Sequence, residues 1–330
     1  MPAPKLPTWS DLSALTGVSG QSGQSGPFFG TAAGRQPDCP WLLADRRLEL
    51  DTPYGTLTPQ HAPDEPRRCQ VKALLFHPGG ELRTLPLQER TWISTPVGRI
   101  QAELLTFYPS GALCRIFPSD GELSGFWTWE NEFARSAPQS VATPLGRLER
   151  HFLALHFYES GKLKSLTLWP EDRIQVPAAG MMIEGRIGVA FYEHGAVRRL
   201  EPARPTRVPT PIGPLTAYDP DALGIHGDNG SLGLFPDGSV EELLTVHDRI
   251  EASGPGFREV WEPLMRPGTC HPDQLEPGPM PVVFEPGGVR LGAAPSRFFD
   301  SAGTVFKARP RMLFGDMPGL GGPPACGLRV

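Results

Sequence analysis

The chain has 330 residues, a formal net charge of −5 and an apolar content of 39%, enough for one large or two ordinary domains. It holds no run of about eighteen apolar residues, which excludes a membrane-spanning helix on length, and its dispersed Lys and Arg on an acidic background give no electrostatic footprint for nucleic acid. Its 38 glycines and 39 prolines approach low-complexity content, but many recur at periodic positions, so a turn-rich β protein accounts for them.

The first residues carry one lysine and no apolar core of signal-peptide length, so a cytoplasmic location is expected. Cys39, Cys69, Cys114, Cys270 and Cys326 are widely spaced with no Cys-x-x-Cys pair. That is neither a disulfide framework nor a zinc site, and Cys114, inside a strand pattern, reads as a small buried residue. The segment from Thr8 to Leu15 suits a helix of two turns capped by Ser10, a frayed terminus or a segment that docks on a partner. Residues 17–37 form a Gly/Ser/Gln-rich tract, and 1–40 together read as a flexible N-terminal segment and linker.

A repeat begins after Trp41. Aligned on an aromatic residue followed four positions later by glycine, the copies start at Phe76, Phe107, Phe157 and Phe191, with a looser copy at Leu234 and a further match at Phe117. Tyr108-Pro109-Ser110-Gly111 shows the chemistry: proline presets φ at the first central position of a type I turn, and glycine takes the left-handed conformation that follows it. Each copy is therefore expected to be a β-hairpin. Apolar residues follow the glycine at plus two and plus five, as at Leu113 and Ile116. That odd step puts them on opposite faces unless a bulge resets the pleat, and a strand end rotated by the turn bulge is expected. Thr-Pro-x-Gly segments at Thr52, Thr95, Thr143 and Thr210 read as second strand-to-strand turns. The predicted fold is all-β: an elongated antiparallel sheet of stacked hairpin repeats over 41–252, curled or irregular, with flexible termini.

Two stretches interrupt the repeat. Residues 125–139 carry Trp127 and Trp129 in a mixed-charge run that could form a short helix, and 216–238 are rich in acidic and turn residues. Beyond them, 253–307 read as a Pro-rich segment with two terminal capping hairpins at Phe284 and Phe299, and 308–330 as a disordered tail.

Phe107, Tyr108, Gly111, Leu113, Gly121, Leu123 and Gly125 together resemble the bacterial variant of the MORN repeat, an aromatic strand and Ser/Asn-Gly turn followed by a Gly-x-Leu-x-Gly step. Phe157, Tyr158, Gly161 and Leu163 match its first half. The similarity covers roughly 70–245 and extends to repeat proteins of anaerobic bacteria that share the Thr-Pro-x-Gly segments. It implies stacked hairpins serving as a scaffold, a partner-binding surface, a membrane-associated platform or an antitoxin component. Aromatic positions at 76, 107, 157, 191 and 234 are less evenly spaced than in a regular array, which implies a sheet that curls or carries loops.

No phosphate loop, His-Glu-x-x-His, Gly-x-Ser-x-Gly elbow or dinucleotide fingerprint is present. The leading expectation is a non-catalytic repeat scaffold with a protein partner and no cofactor, binding through Tyr108, Tyr158 and Tyr192 on one face, with Trp127 and Trp129 beside Glu130, Glu132 and Arg135 as a further patch. The alternative is a metal-dependent hydrolase or ligand-binding protein with its site at 218–229. There Asp219, Asp221, Asp228 and Asn229, around His226, offer oxygen ligands to a hard cation; the simpler reading makes them turn formers. His151 and His156, an odd number of residues apart in a strand, point to opposite faces.

Overall fold

The computed structural model describes residues 5–16, 40–224, 227–268 and 273–311. Its repeat turn is built as the sequence dictates. The Tyr108 carbonyl accepts from the Gly111 N–H at 2.9 Å, and the Tyr108 N–H donates to the Ala112 carbonyl at 2.8 Å. His77, Tyr158, Tyr192 and Phe235 make the same two bonds in their own copies, each closed by a glycine at positive φ, from 82° at Gly111 to 98° at Gly195. This is a type I turn followed by a left-handed residue.

The ladder then slips. Phe107 pairs with Leu113 but Thr106 pairs with Arg115, which leaves Cys114 as an extra residue on the outgoing arm. The same slip makes Arg83, Arg198 and Glu241 extra in their copies. An inserted residue reverses the pleat, so the plus-two and plus-five residues end on one face: Leu82 with Leu85, Leu113 with Ile116 and Val197 with Leu200 are all buried. The bulge that the odd spacing demanded is present.

Contacts divide the chain into two compact units, Met1–Leu166 and Thr167–Val330, a division that falls inside the repeat array. In the first, strands Trp41–Leu42, Leu74–Phe76, Leu82–Thr95, Gly98–Phe107, Leu113–Phe117 and Phe152–Phe157 pair antiparallel in succession. A straight row of fully buried residues, Leu85, Leu105, Ile116 and Leu155, crosses four of them. In the second, Ile174–Ala178 flanks Met181–Phe191, followed in order by Val197–Pro202, Leu232–Leu234, Val240–Thr245, Met280–Glu285, Gly288–Leu291 and Arg297–Asp300. Val189, Leu200, Leu232, Leu243, Val282 and Leu291 make the equivalent buried row. The all-β expectation of antiparallel hairpins holds, and the sheet does not close into a barrel.

The Thr-Pro-x-Gly turns form as expected. Thr52, Thr95 and Thr143 pair with Gly55, Gly98 and Gly146. Each threonine hydroxyl accepts from the N–H two residues on, at 3.1 to 3.2 Å, and donates to the glycine carbonyl, at 2.7 to 2.8 Å. Thr210 makes the same bond to Gly213.

Four expectations differ from what is seen. Within the segment expected to be flexible, Trp9–Thr16 is a helix capped by Thr8 rather than Ser10: Thr8 and Asp11 exchange hydrogen bonds, the Trp9 N–H donates to Gly80, and Leu12 is buried. Its docking surface is the chain's own first hairpin turn. The match at Phe117 forms no hairpin, because the strand ends there and the backbone beyond is used elsewhere. The capping hairpin expected at Phe299 does not close on itself: Arg297–Asp300 pairs with Gly288–Leu291, whereas Val305–Pro310 pairs with Asp248–Gly254. Gly303 lacks the left-handed conformation that the repeat turns use. This last strand also carries order to Pro310, into the expected tail. The Gly/Ser/Gln tract and residues 312–330 lie outside the described residues. No described helix is long and apolar enough to cross a membrane.

Candidate functional site

The Leu82–Thr95 strand breaks its ladder midway. Pro86 pairs with Leu104 and Thr91 with Ala102, so residues 87–90 bulge out opposite Glu103. The insert between Thr58 and Lys72 covers this bulge: the Gln88 N–H donates to the Thr58 carbonyl at 2.9 Å, and the Gln88 side chain accepts from the His61 and Ala62 N–H groups. The carbonyls of Leu87 and Gln88, turned out of the ladder, accept from the two terminal nitrogens of Arg68 at 2.8 and 2.7 Å.

Next to it, Arg67 is clamped by two carboxylates. Its Nε and Nη2 donate to the two oxygens of Glu132 at 2.8 and 2.6 Å, and Nη2 also reaches Glu103. All three side chains are at least nine-tenths buried. Glu132 comes from the short helix Trp129–Arg135, whose N-cap is Thr128, and it also accepts from Trp127 Nε1 at 2.7 Å and the Gly121 N–H at 3.2 Å. A side chain at position 121 would collide with that carboxylate. Glu103 accepts from the Asp120 N–H at 2.9 Å, and the Glu122 N–H donates to the Arg67 carbonyl at 2.9 Å. These bonds explain the missing hairpin after Phe117: successive N–H groups that a second strand would use are held by Glu103, Glu132 and Arg67.

Burial pushes the Glu132 carboxyl up, but Arg67 and Trp127 outweigh it and hold the group below the usual carboxylate range. Burial would likewise lower Arg67, and its two carboxylates more than reverse that. The pair therefore stays ionised. Asp120 is pushed up by burial despite Lys72, which donates to its Oδ1 at 2.8 Å.

In front of these arginines lies a cleft of about 300 Å³, bordered also by Arg90, Arg135 and Asp64. Arg90 Nε donates to Glu103 at 3.2 Å, and its Nη1 to the Arg135 carbonyl at 2.8 Å. Asp64 Oδ2 stands 3.6 Å from Arg67 Nη1 and 3.7 Å from Arg68 Nε. What the cleft can do chemically is hold an anion on preset guanidinium donors. No known protein family, curated protein or solved structure matches this chain.

Of the residues singled out from the sequence, Trp127, Glu132 and Arg135 belong to this site, and the tyrosines and the 218–229 loop lie elsewhere. Tyr108, Tyr158 and Tyr192 are half-buried. The Tyr108 hydroxyl donates to the Phe157 carbonyl at 2.8 Å and the Tyr192 hydroxyl to the Leu234 carbonyl at 2.8 Å. His77, at the same turn position, bonds the Phe107 carbonyl through Nε2 at 3.0 Å. Each ties its hairpin to the aromatic position of a later one. Basic residues just past the turn lie over the same rings: Lys164 is 5.7 Å from the Tyr158 centroid, and the bulge residue Arg198 is 5.6 Å from that of Tyr192.

At Tyr108 that place belongs to Cys114, half-buried and hydrogen-bonded, rather than the purely apolar residue expected. Burial raises its thiol, but hydrogen bonding and charge from buried His156 outweigh this and lower it. Burial and Cys114 together push Tyr108 up to about 12.

Trp127 and Trp129 are half-buried, Glu130 is exposed, and Glu132 turns inward, so the expected patch is partly a structural knot. In the 218–229 loop, Asp219 Oδ1 accepts the Asp221 N–H at 2.9 Å, and Asp221 pairs with Arg266. The loop is pinned by buried Glu201, which accepts from the Asp219 and Ser231 N–H groups at 3.0 and 2.7 Å. Burial raises the Glu201 pKa. Gly230 runs so close to the Leu200 backbone that no Cβ would fit. Asp228 and Asn229 follow on the same loop, and His226 lies outside the described residues. Among the described residues, no three His, Cys, Asp or Glu side chains gather as a metal set.

Sequence reasoning missed Asp64, Arg67, Arg68, Arg90 and Glu103. One signal was available: adjacent Arg67 and Arg68 follow Pro66 inside an insert otherwise made of turn residues. For Glu103, alternation gave only its parity with buried Leu105 and Phe107, and nothing in that pattern says what would pair a carboxylate there.

Proposed function

We propose that the protein is a non-catalytic, MORN-like hairpin-repeat module that binds a protein partner in the cytoplasm. The observation that carries this reading is Phe126, 86% exposed at the tip of a turn that is otherwise fixed. The Ser124 hydroxyl accepts from the Phe126 and Trp127 N–H groups at 3.2 and 3.1 Å, and the Ser124 N–H donates to the Trp127 carbonyl at 2.8 Å. Trp127 is in turn anchored to Glu132. Leu123, also exposed, precedes the turn. A large apolar side chain on immobilised backbone loses little entropy on docking, which is the property of an interface anchor.

The test is affinity capture from the source lysate with wild-type protein and with Phe126→Ser. The expected result is a stoichiometric partner held by wild type and lost by the variant at an unchanged melting temperature. Capture that is indifferent to Phe126 overturns this surface as the interface.

A further inference from the structure

We propose that the cleft in front of Arg67 and Arg68 is a receptor for a single carboxylate carried on a small molecule, and that Asp64 stands in for that carboxylate in the free protein. This goes beyond the partner-binding reading and does not depend on it.

The donors of the two buried arginines divide into two groups. Arg67 Nε and Nη2 are held by Glu132 and Glu103, and both terminal nitrogens of Arg68 by backbone carbonyls. Arg67 Nη1 and Arg68 Nε remain. Both face Asp64 Oδ2, at 3.6 and 3.7 Å, beyond hydrogen-bond distance. The Arg68 side chain is only 3% exposed, and its Nε has no hydrogen-bond acceptor at all. A buried guanidinium N–H in that state rewards any acceptor that comes closer.

Asp64 is suited to give way. Its side chain is 42% exposed, where an ion pair at such distances contributes little. Its backbone is fixed independently, the Asp64 N–H donating to the Arg68 carbonyl at 2.8 Å and the Arg68 N–H returning the bond. The carboxylate can therefore swing out with no change in the chain path, while Arg67 and Arg68 keep their places.

Charge selects the ligand. With Asp64 withdrawn, Arg67, Arg68, Arg90 and Arg135 are set against Glu89, Glu103 and Glu132. One positive charge is left over, which matches a monocarboxylate and is exceeded by a phosphate dianion. Size agrees: about 300 Å³ is the small end of ligand pockets, roughly ten water volumes, and suits a ring-sized molecule.

The experiment is calorimetric titration of the full chain with benzoate, with benzamide as the uncharged isostere and inorganic phosphate as the multiply charged probe, on wild type and Asp64→Asn. The expected result is saturable benzoate binding, about fivefold tighter in Asp64→Asn, with benzamide silent and phosphate weaker. Benzoate binding by the variant alone supports the same assignment. No benzoate binding by a variant that melts like wild type, equal affinity in the two proteins, equal binding of benzamide, or phosphate binding tighter than benzoate overturns it. Partner capture through Phe126 is read separately, so either idea can fail without the other.

Discussion

The hydroxyl of Tyr108 joins two hairpins that the backbone ladder alone leaves free to splay at their turns. Removing it as Tyr108→Phe keeps the ring against its neighbours and deletes the bond to Phe157 together with the contact to the Cys114 thiol. The expected loss is about 1 kcal/mol of unfolding free energy, read from the denaturant midpoint. Glu132 is the opposite case, a charge whose removal strands another. Glu132→Gln leaves Arg67 buried with one carboxylate instead of two, an expected cost of about 3 kcal/mol. Because the Glu132 pKa is lowered on folding, its contribution is present above the unfolded carboxylate pKa and is lost as pH falls through the folded one. Acid denaturation curves of wild type and Glu132→Gln should therefore converge at low pH. At this scale the sequence was only partly legible. Tyr108, Tyr158 and Tyr192 stood out by repetition, and repetition marks a structural need as readily as a binding surface: Tyr108 and Tyr192 each tie two hairpins through the hydroxyl. Arg67 and Glu103 could not be linked from the sequence, because their meeting depends on a bulge and an insert that come together only after folding.

Among elements, the hairpin turn was the most legible, since proline, serine and glycine each fix a dihedral within four residues. The bulge after it could be inferred from one odd spacing. That inference has a sharp consequence: Cys114 is the extra residue of the bulge, and no ladder pairing requires a cysteine there. Cys114→Ser should fold with a melting temperature close to wild type. Deleting Cys114 removes the bulge together with its extra residue: Leu113 and Ile116 fall an even step apart, Ile116 keeps its place in the row with Leu105 and Leu155, and the deletion should still give a cooperative melt. The false copy at Phe117 marks the limit of turn chemistry. Its residues suit a hairpin, but carboxylates distant in sequence bind its amides first.

For the molecule as a whole, most pairing is between neighbours in sequence, which is why an all-β meander could be read from a repeat. The pairing that spans the most sequence among the described strands is in the three-stranded sheet of Phe257–Trp261, Asp248–Gly254 and Val305–Pro310, whose outer strands are joined only through the middle one. No local pattern announces that pairing: 253–307 read as a Pro-rich segment with capping hairpins, and only 308–330 as a disordered tail. Removing residues 305–311 should abolish amide-exchange protection in Asp248–Gly254, where Ile250 and Ala252 are fully buried, and leave protection in the Met1–Leu166 unit unchanged. The ties between hairpins also carry a direction: His77 to Phe107, Tyr108 to Phe157 and Tyr192 to Leu234 all run from an earlier copy to a later one. On the ribosome, where about 5–20 residues emerge each second, a newly closed hairpin waits seconds for the carbonyl that will complete it. Assembly is thus paced by synthesis, each of these three hairpins being finished by the arrival of its successor.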